Sequence, residues 1–545
     1  MNSYTLRVSS IILLTTALCQ LGLAYKFLLL VPGLSKSHYG FNNRLSCALS
    51  EAGHEVVLLT LAFYNHIGVN KSPCNLTQYH IPNTKLDPSF ETYLFTELQL
   101  YGYQKERFSM RIMTLMRDFN QIMVNACSNA IASHQLIDEL RTVRFDAIIT
   151  QVISYCDVGI AELLQLPIVF ASPGNYVLDY MAHMFGLPYT SSWIPSPMTS
   201  FSDRMSFKQR AQNLALHILS IAPHSITLFP SPTHDLQHLF EVDPSPENAV
   251  RNYLEFGARA PVMILNGEVV SDLPRPISHG LYFMGDIVKE TMPSNANTKL
   301  EQKWLKILDD PSKLGTILFS FGSIAQTDEM PDDMKTSFFN AFKTIQHRYN
   351  VIWRVNNITN LTLAQNACGC AGLTNLHLSE WIPQPALLSH PNVKLFITHA
   401  GYNSLLETMQ AGIPMLAVPL FADQYGNARR IERLHIGVTV EKWEFTSDRL
   451  VQSMNQVLED ETYFKNAQKL SRMLIDSPKP RRQLLVHNVE RAVRHHATLP
   501  RITAAMGLSL VQYHCLDVIL MLLTLLLVFG YLFIKLLAFG AKKLK

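Results

Sequence analysis

The chain has 545 residues, enough for two or more domains, and 48% of them are apolar, enough for sizeable cores. Its formal net charge is only +3 and no long basic run occurs, which excludes nucleic acid as a partner class.

In chain order, Arg7 is followed by an apolar run from Val8 to about Leu23, and the small residues Gly22 and Ala24 suit signal peptidase. Residues 1–24 are expected to be a cleaved signal peptide, because the next segment, Lys26 to Val31, reads as a core strand. A loop (Pro32 to Gly40), a helix (Phe41 to Ala52), the turn Gly53-His54 and a strand (Glu55 to Leu61) make a βαβ start. Helical periodicity runs from about Phe90 to Leu140. Strand character returns at Phe145 to Thr150, then a helix (Asp157 to Gln165) and a strand (Ile168 to Ala171). Residues 172–260 are rich in Pro, Ser, Met and aromatic residues around a helical stretch near Met205 to Ser220. They read as loops and helices covering an apolar cleft, and the aromatic, Met and Pro content of residues 90–220 suits a small lipophilic molecule.

Pro274 to Gly285 reads as a hinge strand and linker. Strands Gly315 to Phe321, Asn350 to Val355, Leu376 to Trp381, Val393 to Thr398 and Ile413 to Pro419 then alternate with helices, as a parallel sheet requires. Helices from about Ser447 to His496 close this second unit. The expected units are 25–285 and 286–500.

A second apolar run, Val518 to Ile534, reaches the roughly 20 residues of a bilayer span when Leu536 to Phe539 are added. A transmembrane helix is expected over 516–538, with a basic tail over 539–545. Basic flanks stay cytosolic, so the preceding units should be lumenal, a type I single-pass topology. Lys542-Lys543-Leu544-Lys545 resembles a dilysine retrieval signal for the endoplasmic reticulum, and equally a stop-transfer cluster. Sequons at Asn70, Asn75, Asn357 and Asn360 would face the lumen, where glycosylation is possible. Six cysteines fall there too; their pairing is open, and Cys368 and Cys370 read as too close for an easy mutual disulfide.

The densest local signal is Phe396 to Gln424. An apolar strand delivers His399, Ala400 and Gly401 to its carboxyl end, and a helix starts near Tyr402 to Ser404. Ligands of open α/β sheets sit beyond strand carboxyl ends, and a helix N-terminus there offers N–H groups to phosphate. Glu407 lies one turn beyond Asn403 on the same face, a carboxylate placed for ribose hydroxyls.

This segment, with Glu380-Trp381-Ile382-Pro383-Gln384 and Phe319-Ser320-Phe321-Gly322-Ser323, resembles the UDP-glycosyltransferases, specifically the membrane-bound UDP-glucuronosyltransferase type. The resemblance implies a GT-B fold: two Rossmann-like halves facing a cleft. It implies that Trp381 and Gln384 line the uridine pocket and that Glu407 binds ribose. Ser323, His399, Gly401, Asn403 and Ser404 would take the diphosphate, and Asp423 and Gln424 the sugar hydroxyls.

The family's general base is a histidine in a Ser-His pair, which here is His38 in Ser37-His38-Tyr39-Gly40. His54 reads as a structural residue. The family orients its base with an aspartate, but the matching position is Gln151 in Phe145-Asp146-Ala147-Ile148-Ile149-Thr150-Gln151. An amide accepts a hydrogen bond but brings no charge; in serine proteases that exchange costs about four orders of magnitude. Asp157 is an alternative helper, and a catalytically impaired homologue acting with active enzymes is the second reading.

No Asp-x-Asp motif of metal-dependent glycosyltransferases stands in a suitable loop, so direct displacement with inversion and without metal or other cofactor is expected, the UDP-sugar being the co-substrate. An arginine that the resemblance places near Asn266 would suit glucuronate, while asparagine suits glucose. UDP-glucuronate and UDP-glucose both stand, and a homo- or hetero-oligomer is possible.

Overall fold

The computed structural model describes residues 24–65, 72–105, 111–151, 155–174, 182, 187–196, 199–225, 260–285, 300–476, 481–496, 510–513 and 515–543. All of the expected signal peptide but Ala24, the sequon at Asn70, much of the expected cleft cover and the last two residues lie outside them.

Two parallel sheets organise the chain. The first contains β1 (Lys26–Gly33), β2 (Glu55–Ala62), β3 (Thr77–Ile81), β4 (Ala147–Thr150), β5 (Ile168–Ser172), β6 (Met263–Leu265) and β7 (Leu281–Phe283), in the order 3-2-1-4-5-6-7. The second contains β8 (Gly315–Ser320), β9 (Tyr349–Arg354), β10 (Leu376–Ser379), β11 (Val393–Thr398), β12 (Met415–Ala417) and β13 (Gly437–Thr439), in the order 10-9-8-11-12-13. Helices cover both faces of a parallel sheet, so its strands read as unbroken apolar runs; β1 is buried from Phe27 to Gly33. β3, β6 and β13 are not among the strands expected from the sequence; β3, Thr-Gln-Tyr-His-Ile, is largely polar.

The first helix is Lys36–Glu51, five residues earlier than the sequence suggests. Ser35 is the reason: its Oγ accepts from the His38 amide at 3.4 Å and converts half of the expected loop into a helical turn. His38 therefore sits in that first turn.

The second core is aromatic. Trp353 is fully buried on β9, stacks on Phe319 of β8 with ring centroids 4.5 Å apart, and packs on Phe338 of the helix Asp332–Thr344. Truncating such a side chain to alanine costs about 3–5 kcal/mol.

One expected helix belongs elsewhere. Arg481–Arg494 was read as closing the second unit, yet its Leu485, Val489, Ala492 and Val493 pack with Phe27, Leu29 and Val31 of β1. These positions form one apolar stripe at helical spacing. Arg482 pairs with Glu51, and Glu490 lies 3.1 Å from Nε2 of the buried His54, whose Nδ1 accepts from Tyr25 N. The chain thus crosses back to the first sheet. In the other direction, Tyr103, at the end of the helix Pro88–Tyr103, is buried in the second core and donates to Gln326 O at 2.9 Å.

Disulfides join Cys47 to Cys74, Cys127 to Cys156 and Cys368 to Cys370. The last joins the two cysteines that the sequence reads as too close for an easy bridge. Gly369, at φ 70°, folds the chain so that the two Cα atoms are 5.4 Å apart, within bridging range. Near the C-terminus the helix Leu516–Lys543 contains a stretch, Leu516–Phe539, of 24 residues with mean hydropathy 2.5. At 1.5 Å per residue it is about 36 Å long, enough to cross a bilayer.

Candidate active site

β11 ends at Thr398, and the chain turns through Ala400, whose φ of 63° is in the left-handed region. Asn427 holds this turn by donating to Ala400 O at 3.0 Å. Gly401 then caps the helix Tyr402–Ala411, presenting its first backbone amides at the strand end. The His399 ring lies between two glycines. A Cβ on Gly401 would stand 2.6 Å from its Nε2, and one on Gly322 would stand 2.8 Å from its Cε1. Both positions need glycine to admit the ring. Burial and the nearby Arg354 push the His399 pKa down to about 4, so the ring is neutral. Its Nδ1 is buried with no hydrogen-bond partner among the described residues.

The neighbouring strand ends converge here. Gly322, at φ 72°, turns the chain after β8 and precedes Ser323. Arg354, at the end of β9, donates to Gly322 O and to Asn356 Oδ1, bringing a guanidinium to the same edge. Gln384 Nε2 donates to Glu407 Oε2 at 2.7 Å and to Ser404 Oγ at 3.2 Å, which gathers three of the expected donor residues. Trp381 is 75% exposed just beyond β10, so it is no core residue and offers a bare indole face.

Asp423 precedes the helix Gln424–Arg433; burial raises its pKa, and Asn427 Nδ2 donates to its Oδ2 at 2.8 Å. Gln424 is turned into its own loop, its Oε1 accepting from Leu420 N at 2.9 Å and Phe421 N at 3.2 Å. That loop-bracing part was not legible in the sequence.

On the first sheet, His38 Nδ1 lies 2.7 Å from Gln151 Oε1. An amide oxygen only accepts, so Nδ1 carries the proton and Nε2 is left as the basic nitrogen. Burial lowers the His38 pKa, and the Gln151 bond partly opposes this. Gln151 is itself buried, with Nε2 lacking a partner among the described residues. Asp157, buried on the next helix, accepts from Thr150 Oγ1, and desolvation pushes its pKa up to about 7. Asp146 accepts from Lys26 N at 2.7 Å, a strand-start contact.

His38, Gln151, Pro173 and Asn266 follow β1, β4, β5 and β6, which are consecutive neighbours in the sheet. They therefore share one rim. Asn266 Nδ2 donates to Pro173 O at 3.0 Å and, across to the second sheet, to Asn403 Oδ1 at 3.2 Å. The rim that carries His38 thus faces the helix that begins at Tyr402.

A family profile described as UDP-glucoronosyl and UDP-glucosyl transferase matches residues 28–545. The chain belongs to this UDP-glycosyltransferase family. Curated relatives include human UDP-glucuronosyltransferase 1A3, 31% identical over 520 residues that span 94% of this chain and 91% of that protein. Mouse UDP-glucuronosyltransferase 1-2 is 31% identical over 91% of this chain and 88% of its own. Among solved structures, a UDP-glucose: anthocyanidin 3-O-glucosyltransferase in complex with UDP aligns with a TM-score of 0.56 at 16% identity, covering 86% of this chain and 98% of that one. The Phytolacca americana UGT2 complex aligns at 0.55 and 15% identity, covering 86% and 100%. These likenesses give the fold, and the expected GT-B architecture holds. In this UDP-glycosyltransferase the sequence reading missed Arg354 and Asn427, whose bonds to Gly322 O and Ala400 O join turns after different strands.

Proposed function

We propose that this glycosyltransferase moves a hexose from UDP-glucose or UDP-glucuronate to a hydroxyl of a small lipophilic acceptor, with inversion and without a metal. His38 Nε2 takes the acceptor proton as its oxygen attacks the anomeric carbon. The bond from that carbon to the β-phosphate oxygen breaks, and UDP departs with the bonding pair. Its charge falls to the amides after Gly401, to His399 and to the Arg354 guanidinium. Trp381 packs on the base, Glu407 takes the ribose hydroxyls, and Asp423 takes the sugar hydroxyls.

The observation that carries this reading is the His38–Gln151 bond on a rim that meets the donor helix through Asn266 and Asn403. The neutral Asn266 side chain supports glucose; the relatives' names support glucuronate. Incubating the full-length protein with each donor and a mixed panel of phenols and alcohols, with products read by mass spectrometry, tests it. Transfer from neither donor would remove the activity.

We place the two sheets in the lumen of the endoplasmic reticulum, held by Leu516–Phe539, with glycans on the exposed Asn75, Asn357 or Asn360. Endoglycosidase sensitivity in cells checks this. The uncharged partner of His38 also supports a second reading, a donor-binding homologue that acts through association with active enzymes. UDP binding without transfer by the chain alone would favour it.

A further inference from the structure

The loop that carries Asp423 is gripped on both sides by buried cations that reach across to the first sheet's side of the molecule. On one side, Asp272 accepts from Arg275 Nη2 at 2.6 Å and from Arg430 Nη2 at 2.8 Å and Nε at 3.2 Å. Arg430, on the helix Gln424–Arg433, also donates to Asn427 Oδ1 at 3.1 Å. With that oxygen occupied, the Asn427 amide has one orientation: its NH2 faces Ala400 O and Asp423 Oδ2. Asp272, Arg430, Asn427 and Asp423 form one continuous chain of hydrogen bonds.

On the other side stands Lys442, 2% exposed. Its Nζ donates to Tyr101 O at 2.8 Å, Gly102 O at 3.2 Å and Leu420 O at 3.1 Å, which uses all three ammonium hydrogens. Two of these carbonyls end the helix Pro88–Tyr103, where a cation is favoured. The third opens the loop Leu420 to Gln424. Gly102 also abuts the Phe421 ring, since a Cβ there would stand 3.0 Å from Phe421 Cδ1.

We infer that Arg430 and Lys442 are positioning residues that make the Asp423 geometry, and hence recognition of the donor sugar, depend on docking of the two halves. This rests on the reading of Asp423 as a sugar contact. UDP binds through Trp381, Glu407 and the helix start, which the clasp reaches only through the Asn427 bond to Ala400 O, so the sugar part of donor affinity should fall much more than the nucleotide part.

The experiment uses the full-length enzyme in membranes and compares Arg430→Met, Lys442→Met and the milder Asp272→Asn. Each should raise the KM for UDP-sugar by roughly tenfold, inside the usual span of coupling between sites, with Asp272→Asn smallest. The inhibition constant of UDP should stay within about twofold, which also reports that the variant is folded. Arg430→Lys should restore part of the loss. A parallel rise of both constants, or no rise in KM, would overturn the inference, and if the methionine variants do not accumulate, Asp272→Asn decides alone. Asp423→Ala separates the layers: a raised KM there with unchanged clasp variants refutes only the coupling, whereas an unchanged KM in Asp423→Ala refutes the sugar contact beneath it.

Discussion

His38 Nδ1 meets Gln151 Oε1 at 2.7 Å, so the base is oriented by a neutral amide. A carboxylate in that place would hold the same tautomer and add charge to stabilise the imidazolium. Gln151→Asp should therefore raise turnover with an alkyl alcohol by at least about tenfold, a fraction of the roughly 10⁴-fold that the amide costs in serine proteases. The pH profile gives the sign. Burial lowers the His38 pKa, so its basic form persists below the ordinary 6.5 and the acid limb of kcat/KM should lie below that value. In Gln151→Asp the limb should move to higher pH. An unmoved limb in a folded variant removes residue 151 from the mechanism.

His38→Ala should lower kcat by about 10²–10⁴-fold, the usual contribution of a positioned base. UDP should still inhibit with an unchanged constant, because the donor residues lie on the other sheet. Equal loss of UDP inhibition would mean that the substitution damages the fold rather than the chemistry.

Asn266 lies between Pro173 O and Asn403 Oδ1, at the junction of the two rims. Asn266→Arg adds a guanidinium that suits a carboxylate and should shift the kcat/KM ratio toward UDP-glucuronate over UDP-glucose by about 10-fold or more. A competition assay with both donors and product masses reads the ratio directly.

Gly322→Ala strains a φ of 72° and drives a Cβ into the His399 ring. UDP-sugar KM and UDP inhibition should worsen together, by about tenfold for each 1.4 kcal/mol of displaced contact. Gly372→Ala, in open space, is the matched control and should change neither.

The donor strand, the Gly401 turn and the helix after it were legible because all of their determinants are local: an apolar strand, small residues, then helix formers. The start of the His38 helix was hidden because a single cap, Ser35, outweighed the loop-like Pro32 to Gly40. β6 and β13 carry three residues each and lack the long apolar run, Ile413 to Pro419, that marked the equally short β12. Arg481–Arg494 was legible as a helix but not which sheet it would cover, since that depends on packing against β1. Nothing local singles out Arg430, Lys442 and Asp272, because the bonds that bury them, Arg430 to Asp272 and Lys442 to Gly102 O, join residues 158 or more positions apart.

The most direct measurement is a calorimetric titration of UDP into the purified full-length protein in detergent, with and without a chelator. Saturable binding of one UDP per chain, with a Kd between about 1 μM and 1 mM and no effect of the chelator, is the expected result. Absence of binding up to millimolar UDP would contradict the donor site at the end of β11, and binding abolished by the chelator would contradict its metal-free diphosphate grip.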